Sequence, residues 1–498
     1  MKRLLIILMA ISFSFGLGTP IAAAEENSIN SEIIYSILVD RFNNGNPSLQ
    51  KQVDLDDPLA YHGGDLQGIT DKLDSLKELG YTTLVLSPIM KNAPDGYHGY
   101  WIEDFFKVDD QYGTMEDLKK LVKEAHKRDM KIILEFVTNY VSLTHPMTED
   151  PEKSDWIKEN NEVESFQWLD QAAVLDQTYA EVKQLLKEAA DYWIDEADID
   201  GYKFHAADKT NQAFLKELTA HISEKNPDFY MLADILDPEN YTGNIVENTE
   251  IQAVENNALY EPMANVFSQA GEPVSAVHDA WLQSKQEDGL NYLDNEYTER
   301  FTRKLLKNGR SPFTTWKLAL TYLYTLPGTP MIFQGSEIPM STGAFPESQK
   351  MVMFNSGDQE LSKFINRISS LRAQFPALQK GDYELLDSSG AMSLFKRTYE
   401  GESVYIAINN DTESQAISID GIDSGKQLKG LLGDNLVRVN EQGEFKIGLA
   451  RETAEVYVVQ KDTGLNWLLI GMITGIFAIF IVSVVYLSRK QKKREADA

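Results

Sequence analysis

Between residues 31 and 380 the chain alternates short apolar runs with longer stretches whose apolar residues recur at helical spacing. Ile33–Val39, Thr83–Ser87, Lys131–Val137, Gly201–His205, Tyr230–Asp234, Leu290–Leu293 and Met331–Gln334 are compact and β-branched or aromatic. Runs of that length without polar alternation predict strands buried on both faces. Met115–Arg128 and Val182–Glu196 place apolar residues three and four apart and predict amphipathic helices. Strand followed by helix, repeated from Ile33 to Gln334, predicts a parallel sheet wrapped in helices. The number of repeats predicts an α/β fold of the (β/α)8 TIM-barrel type. Ser142–Gln171 breaks the rhythm. It is polar, rich in Glu, Asp and Lys, and follows the third strand, so it predicts a small inserted domain over about 142–172. After Lys380 the pattern changes again. Met392–Arg397, Ser403–Asn409, Gln415–Ile419 and Glu455–Gln460 are strand-like and separated by Gly, Asn and Asp turns, which predicts a C-terminal antiparallel β domain over 381–461.

The two ends carry a different signal. Lys2 and Arg3 precede the apolar run Leu4–Phe15, and Ala22-Ala23-Ala24 offers a small-residue cleavage site. That layout predicts a signal peptide over 1–24, with an uncleaved anchor as the alternative. Trp467–Leu487 is apolar and uncharged. At about 1.5 Å per residue it reaches roughly 30 Å, the thickness of a bilayer core. A buried core helix is the competing reading, but Arg489, Lys490, Lys492, Lys493 and Arg494 follow at once. Such a cluster predicts a single transmembrane helix with a cytoplasmic tail over 488–498 and the larger part of the chain outside the cell.

Composition narrows the partners. A chain of 498 residues exceeds one hydrophobic core. The net charge of −29 excludes nucleic acid as the main partner of the folded part and fits neutral ligands. With no cysteine in the chain, disulfides, thiolate metal sites and thiol nucleophiles are excluded.

Motif order then points to a family. "IIYSILVDRFNNGNP" and "YHGGDLQGI" are followed by "GYHGYWIEDFFKVDDQYGT", "KIILEFVTNYVSLTHP", "DIDGYKFHAAD", "YMLADILD", "NYLDNEYTERF" and "TLPGTPMIFQGSEI". In that order they resemble glycoside hydrolase family 13, the α-amylase family, over roughly Ser31 to Lys461. The resemblance implies a barrel that cleaves α-glucosidic bonds by a retaining mechanism: an Asp nucleophile, a Glu acid/base and a third carboxylate. Matched motif by motif, His205 stands at the nucleophile position, Asp234 at the acid/base position and Tyr297 at the third carboxylate. Lys203 replaces the Arg that pairs with the nucleophile. Tyr140 and Glu296 replace two sugar-binding His residues, and Glu135 replaces an Asp. A neutral imidazole brings no negative charge to an oxocarbenium-like transition state. Asp234 is a methylene shorter than Glu, and a misplacement of about 1 Å can cost about 10²-fold. Such groups act as a unit, so the resemblance predicts a barrel with no intact family catalytic residue.

Ligand-side residues persist. The resemblance sets His98, Tyr100, Trp101 and Asp104 in the second-strand loop beside the sugar nearest the cleaved bond, with Lys203 beneath. Aromatic faces and a few polar anchors suffice to bind a glycan. Glu135, His205, Asp234 and Glu296 are expected to converge, either as a hydrogen-bonded cluster or as a site for a divalent metal. No cofactor is expected. Calcium, which some family members bind, has eroded sites here. Asn44, Asn46, Gly63 and Asp65 match the first, but Leu49 and Gln50 replace oxygen donors. Asn139 matches the second, but Val174 replaces an Asp. The leading expectation is a membrane-anchored, non-hydrolytic amylase-like ectodomain that binds α-glucan or an unspecified protein partner. The alternatives are an active hydrolase or transglycosylase with a rearranged site, and a scaffold subunit of a membrane complex.

Overall fold

The computed structural model describes residues 28–49, 53–158, 167–284, 288–462, 464 and 467–496. The expected signal peptide, Gln50, the middle of the inserted domain and the last two residues of the tail lie outside the described residues. Eight strands run in parallel: β1 Ile34–Ile37, β2 Thr83–Leu86, β3 Lys131–Val137, β4 Gly201–His205, β5 Tyr230–Ala233, β6 Ala253–Val254, β7 Leu290–Asn291 and β8 Thr329–Phe333. Each pairs with its neighbour in chain order from β1 to β6, β7 pairs β8, and β8 returns to β1. A parallel bridge between Glu255 and Leu290 closes the ring between β6 and β7. The result is the expected (β/α)8 barrel. The sequence pattern missed β6, because a two-residue strand is too short to carry a periodic signal.

Burial on both faces explains the strand composition. The barrel interior packs Ile34, Val85, Ile133, Tyr230, Leu232, Ala253, Leu290 and Met331 into one cluster, while alternate residues pack outward against the helices. The helix Met115–His126 starts at a capping box in which Thr114 and Asp117 exchange hydrogen bonds. That cap satisfies amides left free at a helix start. Ala180–Ala197 covers the expected second helix and turns off at Asp198 in a left-handed conformation.

The insertion after β3 forms a three-stranded sheet. Ala172–Leu175 lies between Tyr140–Ser142 and Ile157–Lys158, antiparallel to both. From Asp382 onward a six-stranded antiparallel sheet faces a two-stranded one formed by Gln415–Ile419 and Phe445–Leu449. The two share a core that includes Leu394, Ala407, Ile417, Phe445 and Tyr457. Arg397 fastens this domain to the barrel through a buried bond to the Thr325 carbonyl. The last helix, Trp467–Ala496, carries a stretch from Ile470 to Lys490 that is long and apolar enough to cross a membrane. Its side chains from Ile470 to Leu487 are mostly exposed.

Candidate functional site

The carboxyl ends of β3 to β6 deliver Glu135, Lys203, His205, Asp234 and Glu255 to one buried cluster. Alternation along β4 turns Lys203 and His205 to the same face, two residues apart. Lys203 Nζ lies 2.8 Å from Glu255, 3.1 Å from Asp234 Oδ2 and 3.7 Å from Glu135 Oε2. His205 Nδ1 lies 3.0 Å from Glu135 Oε1 and 3.4 Å from Asp234 Oδ2. The other oxygen of Asp234 accepts from the Ala206 amide at 2.7 Å. Both Asp234 oxygens are therefore engaged within the cluster. His205 is 1 % exposed.

The electrostatics follow from burial and crowding. Burial works against the His205 imidazolium, but the Asp234 and Glu135 carboxylates outweigh it and push its pKa up to about 10. Burial also opposes the Lys203 ammonium, yet Glu135, Glu255 and Asp234 raise its pKa well above the usual lysine value. For Asp234 burial alone would raise the pKa, and Lys203 and His205 reverse this and hold it well below the carboxylate range. Glu296 is pushed up to about 7, first by burial, with Lys203 pulling down and Glu255 and Glu135 pushing up. The group at the expected nucleophile position is thus a cation held by carboxylates.

Aromatic rings seal the cluster. The Tyr100 ring lies flat on the His205 imidazole, with centroids 4.1 Å apart and planes at 14°. Trp168 packs on Tyr100 at 4.7 Å and on Tyr140 at 5.2 Å, and stands 5.5 Å from His205. Tyr297 donates from its hydroxyl to the Tyr100 hydroxyl at 3.1 Å. Gly99 sits at φ +92°, where a side chain would strike Pro88, and so brings Tyr100 over the barrel axis. The expectation that Tyr100 offers an open face to a sugar is corrected here. Its face is spent on His205.

Other expected residues divide. His98 is buried, and its Nδ1 accepts from the Tyr100 amide at 3.0 Å. Trp101 is half-buried and donates from its indole to the Trp168 carbonyl at 2.7 Å. Together with Tyr97, Trp168, Leu59 and Phe345, both line a cavity of about 160 Å3 at the mouth. Asp104 does not join them. It lies in an outer groove with Phe106, His145 and Trp156, because its oxygen turns back to the Phe106 amide. Glu296 stands outside the close group of Glu135, His205 and Asp234.

The calcium donors do not fit an ion. Asp65 spends its carboxylate on the amides of Gly45, Asn46 and Gly68 and so caps the helix Leu66–Thr70. The Asn46 amide oxygen accepts from Ser48, and the Gly63 amide donates to Asp40. Asn44 alone keeps a buried oxygen without a hydrogen bond, far short of the six to eight oxygens calcium takes. At the second site the Asn139 oxygen accepts from Gln177 at 3.1 Å and Thr210 at 2.8 Å. Its nitrogen donates to the carbonyls of His205 and Ala206. Hydrogen-bond donors fill the place a cation would take.

Sequence reasoning missed Trp168, Glu255, Gln177 and Thr210. Trp168, one of two tryptophans in the polar insertion, was the one legible hint. Glu255 follows the unrecognised β6, and nothing in the spacing marked the other two.

Comparisons with known proteins agree with this architecture. The family model for the α-amylase catalytic domain matches residues 36–370, and that for the α-amylase C-terminal domain matches 381–457. An Anoxybacillus α-amylase structure superposes with a TM-score of 0.83 at 41 % identity, covering 88 % of this chain and all of that one. An α-amylase from Geobacillus thermoleovorans, solved with acarbose, gives 0.82 at 38 % identity, again over 88 % of this chain and all of that one. A cyclomaltodextrinase from Geobacillus thermopakistaniensis is 29 % identical over 81 % of this chain and 73 % of its own length. Barrel, insertion, C-terminal sheet and family match coincide, and the chain belongs to the α-amylase family.

Proposed function

We propose that this α-amylase-family protein binds at its barrel mouth without hydrolysing, and that its C-terminal helix holds it in a membrane with the barrel outside the cell. The observation that carries the first part is the Tyr100 ring stacked on His205. A pyranose cannot occupy the place of that ring, and the residues beneath it are paired with one another. The 160 Å3 cavity beside Trp101 and Trp168 supports a shallow site for α-glucan. A protein partner, with the chain as a scaffold subunit, is the other form of the same reading. The exposed apolar stretch from Ile470 to Lys490 supports the membrane anchor.

A second reading has its own support, and the relatives' names favour it over the first. They include cyclomaltodextrinase, intracellular maltogenic amylase and neopullulanase, and an α-amylase structure is 41 % identical. Under that reading the chain hydrolyses or transfers α-glucans with a rearranged site, and Tyr100 swings away from His205.

Retention on a glycogen affinity gel together with release of reducing ends from maltooligosaccharides separates the readings. Binding without hydrolysis predicts retardation and no new reducing ends. Replacing Trp101 with Ala should weaken retention about fivefold, given stacking worth about 1 kcal/mol. Reducing ends released by the wild type and lost in His205→Ala would establish the second reading. No retardation and no hydrolysis would leave the protein-partner form.

A further inference from the structure

We propose that Glu135, His205 and Asp234 form a binding site for one borderline divalent cation, zinc being the best match. A ligand atom from each of the three lies within 4.8 Å of the other two. The separations of Nδ1 from the two carboxylate oxygens, 3.0 and 3.4 Å, bracket the edge of a zinc tetrahedron. Bonds of about 2.0–2.1 Å give an edge of about 3.3 Å.

A proton shared between His205 and Glu135 is the competing account of those distances, and the ring geometry speaks against it. Both nitrogens of His205 and Glu135 Oε1 are buried without a hydrogen-bond partner. Nδ1 is near enough to Oε1 for charge attraction, but the pair does not meet hydrogen-bond geometry. Buried polar atoms left this way cost free energy unless something else satisfies them. A cation seated between the Nδ1 lone pair and the two oxygens satisfies all but Nε2.

Charge gives an independent reason. Three buried carboxylates, Glu135, Asp234 and Glu255, crowd round the single ammonium of Lys203 and the His205 ring, so a divalent ion seated among them meets an excess of negative charge. Lys203, 3.1 Å from Asp234 Oδ2 and anchored by Glu255, would orient the ligating carboxylate from behind, as outer partners of metal ligands do. A nitrogen and two oxygens suit zinc better than calcium, which asks for six or more oxygens.

The test uses the full chain, purified in detergent from cells grown with added zinc, with metal measured by mass spectrometry. The proposal expects about one zinc per chain in the wild type. It expects at least a tenfold fall in both His205→Ala and Asp234→Asn, and no change in His126→Ala, a surface control. Should either variant fail to fold, cobalt loading of the wild type decides. The strong visible absorption of a four-coordinate ion supports the site, and the weak bands of a six-coordinate one overturn it. Wild-type protein with less than a tenth of a zinc per chain, or zinc retained in folded His205→Ala, also overturns it. Neither result bears on hydrolysis, so the site and the proposed function fail separately.

Discussion

At the scale of single residues, the mouth is governed by which atoms remain free. The Nδ1 lone pair of His98 is taken by the Tyr100 amide and is not open to a second proton. Burial, reinforced by the charge at His205, lowers its pKa to about 3. A histidine kept neutral in the fold contributes stability in full above its unfolded pKa near 6.5. That contribution is lost as pH falls toward the folded value. Between pH 7 and pH 5 the loss is about 2 kcal/mol for this one group. The difference in unfolding free energy between wild type and His98→Gln should therefore shrink by about that amount over the interval, as read by denaturant melts at the two pH values. A constant difference would mean that His98 titrates alike in the folded and unfolded states. Trp168 is the second lever. It is 3 % exposed and packs on Tyr100, Tyr140 and His205. Its replacement by Ala should cost about 3–5 kcal/mol. A cost below 1 kcal/mol would show that the indole does not seal the mouth.

At the scale of elements, hydrogen bonds stand where the family resemblance had set the expected calcium donors. Asn139 follows β3, Thr210 follows β4, and Gln177 precedes the helix Ala180–Ala197. Their amide and hydroxyl groups join these segments by hydrogen bonds. Chelation with EDTA should accordingly leave the melting temperature of the barrel unchanged to within about 2 °C, since an ion that does not bind cannot stabilise. Gln177→Ala, which leaves the Asn139 oxygen with one donor fewer, should cost about 1–3 kcal/mol. A large fall in melting temperature with EDTA, together with a silent Gln177→Ala, would put a cation back at this junction. Elements were also where the sequence was most legible. Strands buried on both faces read as continuous apolar runs, so β1 to β5, β7 and β8 stood out. β6 spans only Ala253–Val254, and its identity depends on pairing with β5 rather than on its own composition. The helix Met115–His126 was found to within two residues at its end from the spacing of its apolar residues.

At the scale of the whole molecule, the apolar C-terminal helix and the acidic barrel ask for different solvents. A chain ended at Asp462 should appear in the soluble fraction, whereas the full chain should sediment with membranes and resist an alkaline wash. Extraction of the full chain by salt or high pH alone would deny the anchor. The barrel, its insertion and the C-terminal sheet were legible because patterning and motif order constrain them along the whole chain. The sealed mouth was only half legible. The sequence set His205, Asp234 and Tyr297 at the expected catalytic positions. It could not reveal that Tyr100 turns its face onto His205, since that depends on rotamers and on Trp168 arriving from a separate segment. The central claim is that the sealed cluster performs no glycosyl transfer. The most direct measurement is fluoride release from α-glucosyl fluoride by the full-length protein, beside His205→Ala. This substrate leaves without acid assistance, so it reports any working nucleophile even with the Asp234 oxygens engaged. The account predicts equal release from wild type, His205→Ala and buffer. Turnover by the wild type that His205→Ala abolishes would contradict it.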